Sequence, residues 1–201
     1  MTLDRYRPTA DRVLRPFVST AERIGLTPDA ISVLAFLLAV GAAAAFLPAE
    51  REWYLAGALL VFLNGWLDLL DGALARELDI DSRAGDLLDH VLDRYADVVI
   101  VAGLAAGIER FALGFAAITG VLLTSYLGTQ IQAVGLSREY GGLLGRADRL
   151  ALVGFAAILA AITRDVAGIS VIAALLGLFA VVGHLTAIQR FWSAWSDLRS
   201  E

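Results

Sequence analysis

Six apolar stretches of spanning length recur along the chain, at about 30–48, 53–75, 87–107, 111–134, 150–163 and 168–190, each a candidate to cross a hydrocarbon core ~30 Å thick. In lipid every backbone N–H and C=O must find its partner inside its own segment, so stretches of this kind fold as helices. The expected architecture is an all-α membrane protein with about six transmembrane helices over residues 30–190. Composition agrees: 58% of the 201 residues are hydrophobic and 18% charged, with a mean hydropathy of +0.70, too apolar for a soluble domain of this length. Thr27-Pro28-Asp29 is a start signal for the first helix and Pro48 closes it. Gly65 and a cluster of Asp residues interrupt the second stretch only near its end, and the fifth stretch is the shortest. Ahead of the bundle, residues 8–24 set Arg12, Arg15 and Glu22 among Val13, Leu14, Phe17 and Val18. That pattern predicts an interfacial amphipathic helix, bent or restarted at Pro16. The N-terminus lacks an apolar run followed by small residues, so no cleavable signal is expected. Without repeats or low-complexity linkers, 1–201 reads as a single domain, and without cysteine no thiol chemistry is available.

Arginine placement orients the bundle. Arg5, Arg7, Arg12, Arg15 and Arg23 precede the first span, Arg76 and Arg83 follow the second, and Arg138, Arg146 and Arg149 follow the fourth. The opposite loops hold only Arg51, Arg110 and Arg164. By the positive-inside rule both termini and the loops after the second and fourth spans face the cytoplasm of a cell membrane. All sixteen cationic residues are Arg, which leaves that side chain alone to grip phosphates. The net charge of -5 argues against a nucleic-acid partner.

On that cytoplasmic rim stands the chemistry. Asp68 and Asp71 share a helical face at the end of the second span, and Asp89 and Asp93 share one at the start of the third. Four carboxylates beside hydrocarbon are costly unless neutralised, and hard divalent cations such as Mg2+, Mn2+ or Ca2+ take oxygen ligands, so this set predicts bound metal, two such ions (Mg2+ first, Mn2+ next) clamping a diphosphate. Gly72 and Ala75 clear one face for close approach, Arg76 offers a fork for phosphate oxygens, and Gly85 gives clearance from the third helix. Asp79 and Asp81 read as solvated turn residues, His90 and His184 as structural, and Trp53, Trp66, Trp192 and Trp195 as an interfacial belt.

The set Asp68, Asp71, Gly72, Ala75, Arg76, Gly85, Asp89 and Asp93 resembles the complete signature of the CDP-alcohol phosphotransferase family, membrane enzymes of phospholipid synthesis. The resemblance implies a CDP-lipid donor whose phosphatidyl-type group passes to an alcohol hydroxyl with release of CMP. It implies metal binding by Asp68, Asp71, Asp89 and Asp93, with Asp93 also the base that activates the hydroxyl. It implies CDP binding by Gly72, Ala75, Arg76 and Gly85. The family's usual homodimer would draw on close packing of the kind that Gly103 and Gly107 permit.

Two later segments bear on the acceptor. Arg146-Ala147-Asp148-Arg149-Leu150 and Thr186-Ala187-Ile188-Gln189-Arg190 are similar to stretches of the inositol-phosphate branch, the phosphatidylinositol phosphate and archaetidylinositol phosphate synthases. Arg146, Arg149 and Arg190 are therefore the expected ligands of a phosphorylated acceptor, myo-inositol 1-phosphate. Glycerol 3-phosphate, serine and free inositol are the alternatives within the same chemistry. Arg146 and Arg149 also serve as topology signals, and Arg190 as a headgroup anchor. Ser125-Tyr126 is followed by Leu127 and Gly128 where that branch often carries basic residues. The absence of Lys and a pI near 5.0 lean toward CDP-archaeol over CDP-diacylglycerol as donor. From another class, a transporter relaying ions through its intramembrane Asp residues would place no demand on Gly72, Ala75 and Arg76.

Overall fold

The computed structural model describes residues 7–80, 82–136 and 144–200, with their side chains between residues 13 and 199. Seven helices account for nearly all of them: α1 Arg7–Arg23, α2 Pro28–Phe46, α3 Arg51–Glu77, α4 Arg83–Gly107, α5 Phe111–Ala133, α6 Arg146–Ile162 and α7 Val171–Ser200. Among the described residues the strands are confined to a short hairpin, Asp165–Val166 with Ile169–Ser170, that joins α6 to α7.

The sequence signals set the helix ends. Thr27 Oγ1 accepts from the Ala30 N–H at 3.2 Å, with Pro28 at the first helical position of α2. Ser82 Oγ accepts from the Gly85 N–H at 3.1 Å and opens α4. Asp148 accepts from the Gly145 N–H at 3.0 Å and opens α6. Asp79, at φ 51°, turns the chain out of α3 in a left-handed conformation, in keeping with its reading as a turn residue. Arg5, Asp81 and Arg138, which figured in the sequence reading, lie outside the described residues.

Packing closes a ring in the order α2, α3, α6, α7, α5, α4, with α1 laid against α3 from outside. Ile100, Leu104, Val121, Val153, Ala157, Leu176 and Phe179 fill its centre. Small residues let the backbones meet. A Cβ on Gly103 would lie 2.6 Å from the Cα of Ala43, and one on Gly183 2.6 Å from the carbonyl carbon of Gly120. Gly103 and Gly107 are thus consumed in the contact between α4 and α2, not held for a second subunit, because α2 already fills the space their missing side chains leave.

Helix α1 is a single helix through Pro16; it does not restart there. Its Leu14, Val18 and Ala21 pack on Ile31, Leu70 and Leu74, and Phe17 meets Trp66 edge to face at 5.3 Å. Trp66 therefore pins α1 to α3. Among the described residues, four helices are long and apolar enough to cross a membrane: Pro28–Phe46, Arg51–Glu77, Phe111–Ala133 and Val171–Arg199. Of the other two stretches expected to span, α6 is 17 residues long and α4 carries Asp93, Arg94 and Asp97 in its interior. The last helix also runs past the expected end at 190 to Ser200, with Phe191 stacked on Trp195 at 5.9 Å.

Candidate active site

Helices successive along the chain alternate in direction, so the N-terminal ends of α2, α4 and α6 and the C-terminal ends of α3, α5 and α7 share one end of the ring. Every residue expected to carry chemistry lies on these six ends. Asp68 and Asp71 come from α3 and Asp89 from α4, and one carboxylate oxygen of each falls within 4.8 Å of the others. Asp93, one turn along α4, lines the same small cavity with Asp68, Asp71, Asp89, Asn64, Ser32 and Arg146. Three convergent carboxylates with a fourth beside them form an all-oxygen donor set, which fits a hard divalent cation.

The supports of this cavity were not read from the sequence. Ser32 of α2 donates to Asp71 Oδ2 at 2.6 Å, in a site where both residues are buried, and so fixes the rotamer of that carboxylate. Asn64 of α3 donates to the Ala35 carbonyl at 2.8 Å and locks α2 against α3 at the same level.

Arginines close the cavity from the α6 side. Arg146, in the first turn of α6, reaches Asp68 Oδ1 at 2.6 Å and Asp93 Oδ1 at 2.8 Å, spanning carboxylates from α3 and α4. Arg149 is 8% exposed and donates from Nη2 to Asp97 Oδ2 at 2.6 Å. Arg94 lies 3.5 Å from Asp97 and 3.7 Å from Asp93, and donates to Ser125 of α5. Arg190 of α7 donates to the Thr124 carbonyl at 2.6 Å, in space that Gly128 leaves free, since a Cβ there would sit 2.8 Å from the guanidinium. Thr124 in turn shares a small cavity with Arg149 and Thr186. The three arginines expected on the acceptor side are thus gathered around the α5–α6–α7 side of the site, Arg146 at the carboxylates and Arg190 toward α5.

The residues expected at CDP divide. Gly85 stands at the N-terminal turn of α4, where a Cβ would meet Asp29 Oδ1 at 3.0 Å, so its bareness lets α4 start close to α2. Gly72 and Ala75 are half-buried on α3. Arg76 is exposed and lines a polar recess of about 560 Å3 with Arg15, Ser19 and Glu22 of α1. Beside Asp68 begins a larger groove of about 720 Å3 between α3 and α6, walled by Leu59, Phe62, Trp66, Leu69, Phe155 and Ile158. His90 is exposed, with Nδ1 2.8 Å from its own helix's Asp86 carbonyl and 3.8 Å from Asp89 Oδ2, and His184 Nδ1 lies 2.8 Å from the Ala180 carbonyl.

Asp97, Arg94 and Ser32 are the site residues that sequence reasoning passed over. Asp97 did leave a signal, because it continues the four-residue spacing of Asp89 and Asp93 by one more turn. Ser32 left none: its partner lies 39 residues away on another helix.

Comparison with known proteins agrees with this geometry. The family model described as CDP-alcohol phosphatidyltransferase matches residues 25–186. The chain is 30% identical over 202 residues to an archaetidylinositol phosphate synthase of Methanothermobacter thermautotrophicus, covering 98% of this chain and 96% of that one. It is 33% identical over 198 residues to a phosphatidylinositol phosphate synthase of Streptomyces avermitilis, covering 94% and 80%. Among solved structures, the Mycobacterium tuberculosis phosphatidylinositol phosphate synthase with CDP-DAG bound superposes with a TM-score of 0.76 at 29% identity, over 92% of this chain and 94% of that one. The same enzyme with manganese and citrate gives 0.79 at 28% identity, over 90% and 88%.

Proposed function

Since the chain belongs to the CDP-alcohol phosphatidyltransferase family and is a membrane-embedded transferase of substituted phosphate groups, we propose that its acceptor is a phosphorylated polyol, myo-inositol 1-phosphate. The donor is a CDP-lipid, CDP-archaeol or CDP-diacylglycerol, and CMP is the other product. One observation carries the reading: metal-competent carboxylates share a cavity with Arg146, and the buried Arg149 lies beside it on Asp97, so a diphosphate and a second phosphate have adjacent seats.

In this reading Asp68, Asp71, Asp89 and Asp93 hold divalent metal, Mg2+ or Mn2+. When bound, the metal neutralises the diphosphate and stabilises the departing phosphate. Ser32 holds Asp71 in its binding rotamer. Gly72, Ala75 and Gly85 admit the cytidine diphosphate close to the backbone, and Arg76 binds its phosphate oxygens. The apolar groove between α3 and α6 takes the lipid tails, because it opens at Asp68 and its walls carry almost no polar surface. Arg146, Arg149 and Arg190 grip the acceptor's phosphate. That grip presents the acceptor hydroxyl to Asp93, whose carboxylate accepts the hydroxyl proton. The hydroxyl oxygen then bonds to the lipid-linked phosphorus, and the bond from that phosphorus to the bridging oxygen breaks. CMP departs with the bridging oxygen.

The remaining assignments follow the same reading. The chain is one domain, 1–201, in which α4 and α6 also cross the membrane, because they complete the ring and can hide their polar ends in it. The active end faces the cytoplasm, α1 lies in the interface, and the enzyme works as a homodimer in the cell membrane. A panel of acceptors scored by CMP release tests the substrate. The expected result is turnover with inositol phosphate and divalent metal together, and at least a tenfold rise in acceptor KM in Arg146→Ala and Arg149→Ala. Equal turnover with glycerol 3-phosphate, or an unchanged KM in both variants, would overturn the acceptor assignment.

A further inference from the structure

Asp97 is 5% exposed and sits one turn beyond Asp93 on α4, yet its carboxylate is not part of the convergent three-carboxylate group. Arginines take up both of its oxygens. Oδ2 meets Arg149 Nη2 at 2.6 Å and Arg94 Nη1 at 3.5 Å, and Oδ1 meets Arg146 Nε at 4.0 Å. Three guanidiniums from two helices would repel one another in a buried place, and a buried cation without a counter-charge is strongly destabilising. One carboxylate among them removes that repulsion and, by hydrogen bonding, fixes the plane of the Arg149 fork.

We propose that Asp97 is a positioning residue for the acceptor phosphate, acting through Arg149; the inference rests on the reading of Arg146 and Arg149 as phosphate ligands. Two features carry it beyond a structural ion pair. Asp97 engages Arg149 through Nη2 and leaves its buried Nε without a hydrogen-bond partner. Arg149 also faces the cavity that it shares with Thr124 and Thr186, on the side where Thr124 receives Arg190. A phosphate monoester arriving there meets a guanidinium already held in one orientation, so less ordering entropy is lost on binding. Arg94, drawn between Asp97 and Ser125, extends the same framework to α5.

A purely electrostatic role predicts the opposite sign from a positioning role. Removing a negative charge beside an anion site strengthens anion binding, whereas removing the group that aims the arginines weakens it. The test uses the full chain in detergent micelles and compares Asp97→Asn, Arg149→Gln and the double variant. Acceptor KM comes from CMP release, and the affinity for inorganic phosphate from calorimetry. Expected are a rise of roughly tenfold or more in acceptor KM for Asp97→Asn, a matching loss of phosphate affinity, and little change in the KM for CDP-lipid. The double variant should show the acceptor KM of Arg149→Gln alone, because Asp97 has nothing left to aim. An unchanged or lowered acceptor KM in Asp97→Asn, or a double variant whose effect is the product of the single ones, overturns the proposal. If Asp97→Asn yields no folded protein, Asp97→Glu, which keeps the charge but displaces the carboxylate, takes its place: a raised acceptor KM supports the proposal and an unchanged one overturns it. A parent enzyme that turns over an unphosphorylated acceptor instead defeats the functional reading itself, a result distinct from any of these.

Discussion

At the residue scale, the site separates side chains that meet substrate from side chains that hold them in place. Asp93 lies at the boundary: it lines the metal cavity, and Arg146 approaches its Oδ1 at 2.8 Å while Arg94 stands 3.7 Å from its Oδ2. A carboxylate flanked by two guanidiniums keeps its orientation, so its oxygen can be presented to an incoming hydroxyl with little reorganisation. Asp93→Asn keeps the shape and removes proton acceptance. The expected outcome is a fall in kcat of about 10²–10⁴ with near-normal binding of CMP, measured by steady-state CMP release and by ligand-induced thermal shift. A variant with full turnover would remove the base role. Ser32 exerts its effect one bond further out. In Ser32→Ala, Asp71 loses the 2.6 Å hydrogen bond that fixes it, and the half-saturating concentration of Mg2+ or Mn2+ should rise about 10–100-fold at unchanged acceptor KM.

At the element scale, the helices were legible because their signals are local. Thr27-Pro28 caps the helix it announces, and the apolar runs give six ring helices close to the stretches read from sequence. What local pattern could not give is which helix faces which. The Gly103–Gly107 spacing is readable as a close-packing face, but only the assembled bundle shows that α2 is the partner. Gly103→Leu therefore tests an internal contact. It should push α4 from α2, lower the thermal midpoint in detergent by the equivalent of about 1–3 kcal/mol, and lower activity through the shifted Asp89 and Asp93. If Gly103→Leu altered only subunit association and not stability, the intramolecular contact would be wrong.

At the scale of the whole molecule, the ring gives the enzyme two kinds of surface. Its polar end holds carboxylates and arginines, and its flank carries the groove between α3 and α6 that starts at Asp68. Gly154 lines that groove, and a Cβ there meets no atom within 4 Å. Gly154→Trp should fit without disturbing the core yet fill the groove, raising the KM for CDP-lipid severalfold while the acceptor KM stays as it was; a donor KM left untouched would place the lipid tails elsewhere. The sequence by itself determined the helical class, the carboxylate motif and the family resemblance, since apolar run length and i, i+3 and i, i+4 spacing are properties of one segment. Only the tertiary structure decided that Ser32 fixes Asp71, that Arg146 spans Asp68 and Asp93, and that Asp97 gathers the arginines. Those pairings join residues from different helices, and a hydrogen bond or ion pair depends on separation in space, which spacing along one helix does not encode.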